Sequence, residues 1–152
     1  MWMRKNHLKR NRWNILLASI YALACYILWT KGFIKIENIN RDFHINFLTI
    51  NSVFAGFLFT GLGIVASIAD KDRILKLDRA GYMDNYYNAI YIGLIFHVVS
   101  IVIASLSIIV IEISDIKTLV AIEQFAMFGG VIFFIKAVCN ILKIINKIRK
   151  PI

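Results

Sequence analysis

Three ionisable side chains stand inside long apolar runs of this chain: His97, Glu123 and Lys136. Hydrocarbon makes such groups costly, so they persist where they pair, line a path or handle protons. His97 falls near the mid-depth of its run, where an imidazole suits an interhelical hydrogen bond, gating or a proton relay. Glu123, with Gln124 beside it, falls close inside the outer end of the last run. There it lines an outer vestibule, pairs with Lys117 or reaches the headgroups. Lys136 lies nearer the inner end and shares a helix face with Gly129, Phe133, Asn140 and Lys143. That face either snorkels toward water or forms an inner basic mouth. His97 has no Cys, His or Glu at ligand spacing, so no metal site and no cofactor are expected. The chain shows no Ser/His/Asp or Cys/His arrangement, no carboxylate pair within an apolar run and no phosphate loop, which argues against an enzyme. Its first run also lacks the carboxylate a small multidrug exporter needs. Cys25 and Cys139 fall near opposite ends of the first and last runs; a disulfide would have to cross the bilayer.

These groups are carried by elements that composition makes legible. The chain has 152 residues, 59% of them hydrophobic, and a formal charge of +9; its mean hydropathy is +0.69. A soluble domain of that size needs far more polar surface. Apolar runs cover 13–29, 45–69, 88–113 and 118–142, and crossing hydrocarbon takes about 20 helical residues. The first run is short, but Trp13 and Trp29 bracket it as interfacial anchors, and Trp29-Thr30-Lys31 is no signal-peptide cleavage site. Backbone groups in lipid must be satisfied within the segment, so each run reads as a helix. The expectation is one all-α domain over 1–152, a four-helix transmembrane bundle with helices near 13–30, 45–80, 87–113 and 118–148.

Lys and Arg orient it. Arg4, Lys5, Lys9, Arg10 and Arg12 precede the first run; Lys71, Arg73, Lys76 and Arg79 follow the second; Lys143, Lys147, Arg149 and Lys150 end the chain. The opposite side holds only Lys31, Lys35, Arg41 and Lys117, balanced by Glu37, Asp42, Glu112 and Asp115. By the positive-inside rule both termini and the middle loop are cytoplasmic, in a bacterial or archaeal inner membrane. The basic face would meet anionic headgroups, and an acidic cytosolic protein is a second candidate partner. Without interleaved aromatics or a recognisable nucleic-acid fold, direct nucleic-acid binding is not expected.

The second run, "NSVFAGFLFTGLGIVAS", is apolar yet rich in small and hydroxylated residues. On a helix, Ser52, Gly56, Thr60, Gly63 and Ser67 fall within an arc of about 80°. Small residues at such spacings let helices approach closely in a membrane, so the stripe reads as a helix–helix contact. The third run offers a partner stripe in Gly93, His97, Ser100, Ala104 and Ser107. Asn51, off the stripe, suits a cap or a cross-link to another helix. One four-helix bundle fills its interior with side chains, so a polar path along His97, Ser100, Ser107, Glu123, Lys136 and Asn140 would require a homo-oligomer.

In the middle loop, Asp72 and Lys76 form a favourable i, i+4 pair, and Ala80-Gly81 marks a stop after which the tyrosine cluster "YMDNYY" begins. Arg73, Lys76, Arg79, Tyr82, Tyr86 and Tyr87 are candidate partner-docking residues. On the outer side, "FIKIENINRDFH" alternates briefly, enough for a lid or a strand pair between subunits. The stretch Ile50 to Asn88, "INSVFAGFLFTGLGIVASIADKDRILKLDRAGYMDNYYN", resembles the central portion of small prokaryotic four-helix membrane proteins. Some of these belong to antiviral operons, such as the Kiwa membrane subunit and CRISPR accessory membrane proteins. The resemblance implies a membrane sensor or pore acting with a cytosolic nucleic-acid-directed partner, and assigns no functional residues. The leading expectation is a homo-oligomeric channel, pore or membrane-perturbing effector. A non-conducting anchor or sensor subunit and a holin-like lesion former are the alternatives.

Overall fold

The computed structural model describes residues 7–33, 39–67 and 71–149. Among these every regular element is a helix: α1 (His7–Thr30), α2 (Arg41–Ser67), α3 (Asp72–Arg79), α4 (Tyr82–Ile109), α5 (Ile111–Ser114) and α6 (Lys117–Arg149). Four of them, α1, α2, α4 and α6, are long and apolar enough to cross a membrane. The 33 residues of α6 extend for about 50 Å, well past a hydrocarbon core of about 30 Å.

Local chemistry sets the ends. After α1, Gly32 takes φ 66°, and the amides of Gly32 and Phe33 return to the carbonyls of Trp29 and Leu28 at 3.1 Å each, a Schellman closure. Before α2, Asn40 Oδ1 accepts the Phe43 amide at 3.0 Å as an N-cap. The helix therefore starts at Arg41 rather than near 45. Its first turn consumes part of the stretch expected to form a lid or strand pair, whose residues 34–38 lie outside the described residues. Nor does α2 run on unbroken to Gly81, since Lys71 is extended (φ −69°, ψ 135°) and α3 begins afresh at Asp72. Gly81, at φ 83°, supplies the left-handed link between α3 and α4 that the Ala80-Gly81 stop anticipates. Val110, extended at φ −119° and ψ 103°, ends α4 earlier than 113 and leaves α5 as a single turn.

The central element is α4, packed between α2 and α6, while α1 lies at the edge against α4. The core gathers Leu58 and Val65 of α2, Ile90 of α4, and Phe133 and Ala137 of α6. Helices α4 and α6 approach closely at three glycines, Gly93, Gly129 and Gly130. A Cβ on Gly93 would lie 3.1 Å from Leu58 and 3.3 Å from Phe133, and one on Gly130 would lie 2.5 Å from the His97 ring. The outward face is as apolar as the inside: Phe57, Ile95 and Leu142 are exposed, as expected where acyl chains replace water.

The α4 stripe is buried as its spacing suggests, with Gly93, His97, Ser100, Ala104 and Ser107 all inside. The α2 stripe does not meet it. Ser52, Gly56, Thr60, Gly63 and Ser67 all lie exposed on the single chain, and α2 instead turns His44, Asn51, Ala55, Leu58 and Val65 inward. The physical reason lies in how each polar group is satisfied. The stripe's hydroxyls bond carbonyls of their own helix: Ser52 to Leu48 at 2.7 Å, Thr60 to Gly56 at 2.9 Å and Ser67 to Ile64 at 2.7 Å. A carboxamide has more groups than one carbonyl can satisfy, so Asn51 is drawn to another helix. Of the three glycines, Gly61 rather than Gly56 or Gly63 admits a close neighbour, the Tyr86 hydroxyl.

Candidate functional site

A continuous set of buried polar side chains joins α2, α4 and α6. His97 Nδ1 lies 2.7 Å from Asn51 Oδ1. Asn51 Nδ2 donates to the Phe47 carbonyl at 2.7 Å and to Ser100 Oγ at 2.9 Å. The backbone carbonyl can only accept, which fixes the orientation of the amide and makes His97 Nδ1 the donor to Oδ1. Ser100 Oγ then donates to the backbone carbonyl of Glu123 at 3.0 Å. On the Glu123 side chain, Oε2 stands 2.8 Å from His44 Nδ1. All five side chains are 0–1% exposed. His97 also stacks flat on Phe54, its ring centroid 5.6 Å away at an interplanar angle of 2°.

The structure thus brings together four of the residues singled out in sequence, His97, Ser100, Glu123 and Asn51, the last as the cross-link to another helix that its position suggested. Ser107 is buried farther along α4, its hydroxyl unbonded. Glu123 neither reaches the headgroups nor lines a vestibule: it is fully buried and paired with His44. Lys136 and Asn140 belong to a second cluster, about 20 Å farther along α6 by helical rise. There Asn14 Nδ2 donates to the carbonyl and Oδ1 of Asn85 at 3.3 Å each, and to Asn11 Oδ1 at 2.6 Å. Asn140 Nδ2 reaches the same Asn85 carbonyl at 3.2 Å, and Lys136 Nζ donates to the Trp13 carbonyl at 2.9 Å. The single polar path expected from the sequence is therefore two separate clusters.

Sequence reading missed His44, Asn14 and Asn85. His44 had a signal: His44, Asn51, Leu58 and Val65 recur every seven residues and all are buried, one helix face by spacing alone. The docking set also changes. Tyr86 is 3% exposed and belongs to the core, because α2 offers Gly61 opposite its hydroxyl. Tyr87 is half-buried, while Lys76, Arg79 and Tyr82 are exposed; the Arg73 side chain lies outside the described residues. Lys147 Nζ sits 3.3 Å from the centre of the Tyr82 ring, tying the end of α6 to the start of α4. Both cysteines are free.

Chemically, the first cluster can hold protons and hydrogen bonds in a dry interior. Among the described residues His44 Nε2, His97 Nε2 and Glu123 Oε1 are buried without a partner. Among the described residues no group of three or more His, Cys, Asp or Glu is placed to hold a metal ion. Asn51 carries the cluster, since it alone touches both His97 and Ser100. Replacing Asn51 by Leu is expected to cost about 1–2 kcal/mol, because it strands the His97 donor, against about 0.6 kcal/mol for an average membrane hydrogen bond. Unfolding in mixed micelles, followed by helical circular dichroism, reads this directly.

Four membrane-length helices cross-linked by buried polar side chains define a multi-pass α-helical membrane protein. Compared with protein-family models, curated proteins and solved structures, the chain matches none.

Proposed function

We propose that this chain is the subunit of a homo-oligomeric inner-membrane protein that forms a small channel or pore, or otherwise perturbs the membrane. Its termini and basic loop face the cytoplasm. The observation that supports this reading is the exposed face of α2: Ser52, Gly56, Thr60, Gly63 and Ser67 are uncovered, and a Cβ at Gly56 or Gly63 would meet nothing within 4 Å. The core, by contrast, is filled by side chains such as Phe133, Ile90 and Met83, so any polar path runs between copies. The hydroxyls of the α2 face are the polar groups available to such a path. The antiviral setting implied by the resemblance over Ile50 to Asn88 belongs to the same proposal.

Native mass spectrometry together with planar-bilayer recording tests it. Oligomers with discrete conductance steps are expected, and a monomeric, silent particle would overturn the reading. Gly56→Leu and Gly63→Leu should leave the fold of the single chain intact while removing the oligomer. An unchanged oligomer in both variants would mean the contact lies elsewhere. The alternative of a non-conducting anchor finds support in α3, where Ile74 is buried while Lys76 and Arg79 are exposed. A silent but intact oligomer would favour it.

A further inference from the structure

At the end of the bundle where α1 and α4 begin and α6 ends, a groove of about 450 Å³ opens between α1 and α6. One wall is apolar, formed by Trp13 and Leu16; the other carries Lys136, Asn140 and Lys143 of α6, with Asn85 of α4. Lys136 and Lys143 lie seven residues apart, hence on one helix face and about 10 Å apart along the axis. Lys136 Nζ gives one of its three protons to the Trp13 carbonyl at 2.9 Å, which leaves two for a ligand. Two like charges on one helix face, both lining this groove, favour an anion that joins them.

The groove's shape and polarity are those of a phospholipid. Trp13 and Leu16, both about half exposed, offer a surface to acyl chains. The lysines and the two carboxamides offer donors to a phosphate at the depth where headgroup meets hydrocarbon. A soluble anion would use the lysines and leave the apolar wall uncovered, and a zwitterionic lipid would bring its own ammonium against them. We propose that this groove is a binding site for one anionic phospholipid, its phosphate held between Lys136 and Lys143 and an acyl chain laid along Trp13 and Leu16. Basic pockets between membrane helices on the cytoplasmic side commonly hold such headgroups. The site lies on the side that carries the basic loop and tail, where anionic headgroups are attracted. A bundle in a bilayer suffices for this site, with or without conduction.

The test is native mass spectrometry of the full chain in detergent, titrated with phosphatidylglycerol or with phosphatidylcholine. Phosphatidylglycerol should bind with one saturating equivalent and at least tenfold more tightly than phosphatidylcholine. Excess inorganic phosphate should not displace it. Lys136→Gln and Lys143→Gln should each weaken it by about fivefold, while Lys76→Gln, on α3, should leave it unchanged. A second measurement needs no lysine change. In a Trp2→Phe, Trp29→Phe background, brominated phosphatidylglycerol should quench Trp13 at lower mole fraction than brominated phosphatidylcholine. Equal binding or quenching by the two lipids, displacement by phosphate, or equal losses in Lys76→Gln and the α6 variants would each overturn the proposal.

Discussion

Gly130→Ala should destabilise the bundle by about 2–3 kcal/mol, although alanine is the better helix former by about 1 kcal/mol. The added methyl would lie 2.5–2.6 Å from three atoms of the His97 ring. A flexible side chain could retreat at little cost, but this ring has nowhere easy to go. Its Nδ1 is held by Asn51 at 2.7 Å and the ring is stacked on Phe54. Making room therefore means breaking the Asn51 bond or separating α4 from α6 at Gly130. Reversible unfolding in mixed micelles measures the loss. Gly56→Ala is the control: it meets nothing within 4 Å and should leave the single chain as stable as before or slightly more so. His97→Ala in the Gly130→Ala background should restore part of the stability, because it removes the clash. If Gly130→Ala alone were as stable as the parent, the His97 ring could not occupy the position that organises the polar cluster.

The same local geometry explains what was legible in the sequence and what was not. Span number and helical class followed from apolar length, because hydrocarbon leaves a spanning backbone few other options. The inward face of α4 was also legible, since small residues and His97 repeat on one side of an otherwise bulky helix. The inward face of α2 was misjudged because small residues were weighed above the carboxamide. A serine or threonine can be satisfied by its own helix, so its position says little about which way a membrane helix faces. Asn51 cannot, and it decided the rotation of α2. His44 was lost through a boundary error: a helix begun near 45 leaves it in a loop, whereas the Asn40 cap brings it into the first turn, on the face of Asn51. Asn14 and Asn85 gave no linear signal, because they meet Asn140 only once three helices are side by side.

The pairing of His44 with Glu123 carries the largest expected single effect. Truncating one partner of this fully buried pair to alanine costs about 3–5 kcal/mol, part from the hydrogen-bonding group left with neither water nor a new partner and part from the cavity opened. Both residues are 0–1% exposed, and His44 Nε2 and Glu123 Oε1 make no other bond that could take up the loss. Glu123→Ala and His44→Ala should each fall in that range, with the helical signal lost at correspondingly lower denaturant. Glu123→Gln should cost only about 1 kcal/mol, since the carboxamide keeps the length of the side chain and can still hydrogen-bond Nδ1. The double variant His44→Ala, Glu123→Ala should be less destabilised than the sum of the singles, by at least about 1.5 kcal/mol of coupling. Additive losses would mean that the two side chains do not meet. The coupling matters beyond stability because His44 stands in the first turn of α2 and Glu123 near the start of α6. Their contact, with that of Asn51 on the same face, holds α2 in the rotation that turns Ser52, Gly56, Thr60, Gly63 and Ser67 outward. A variant that loses the pair should therefore lose its oligomer before it loses its helices, provided the copies meet through α2.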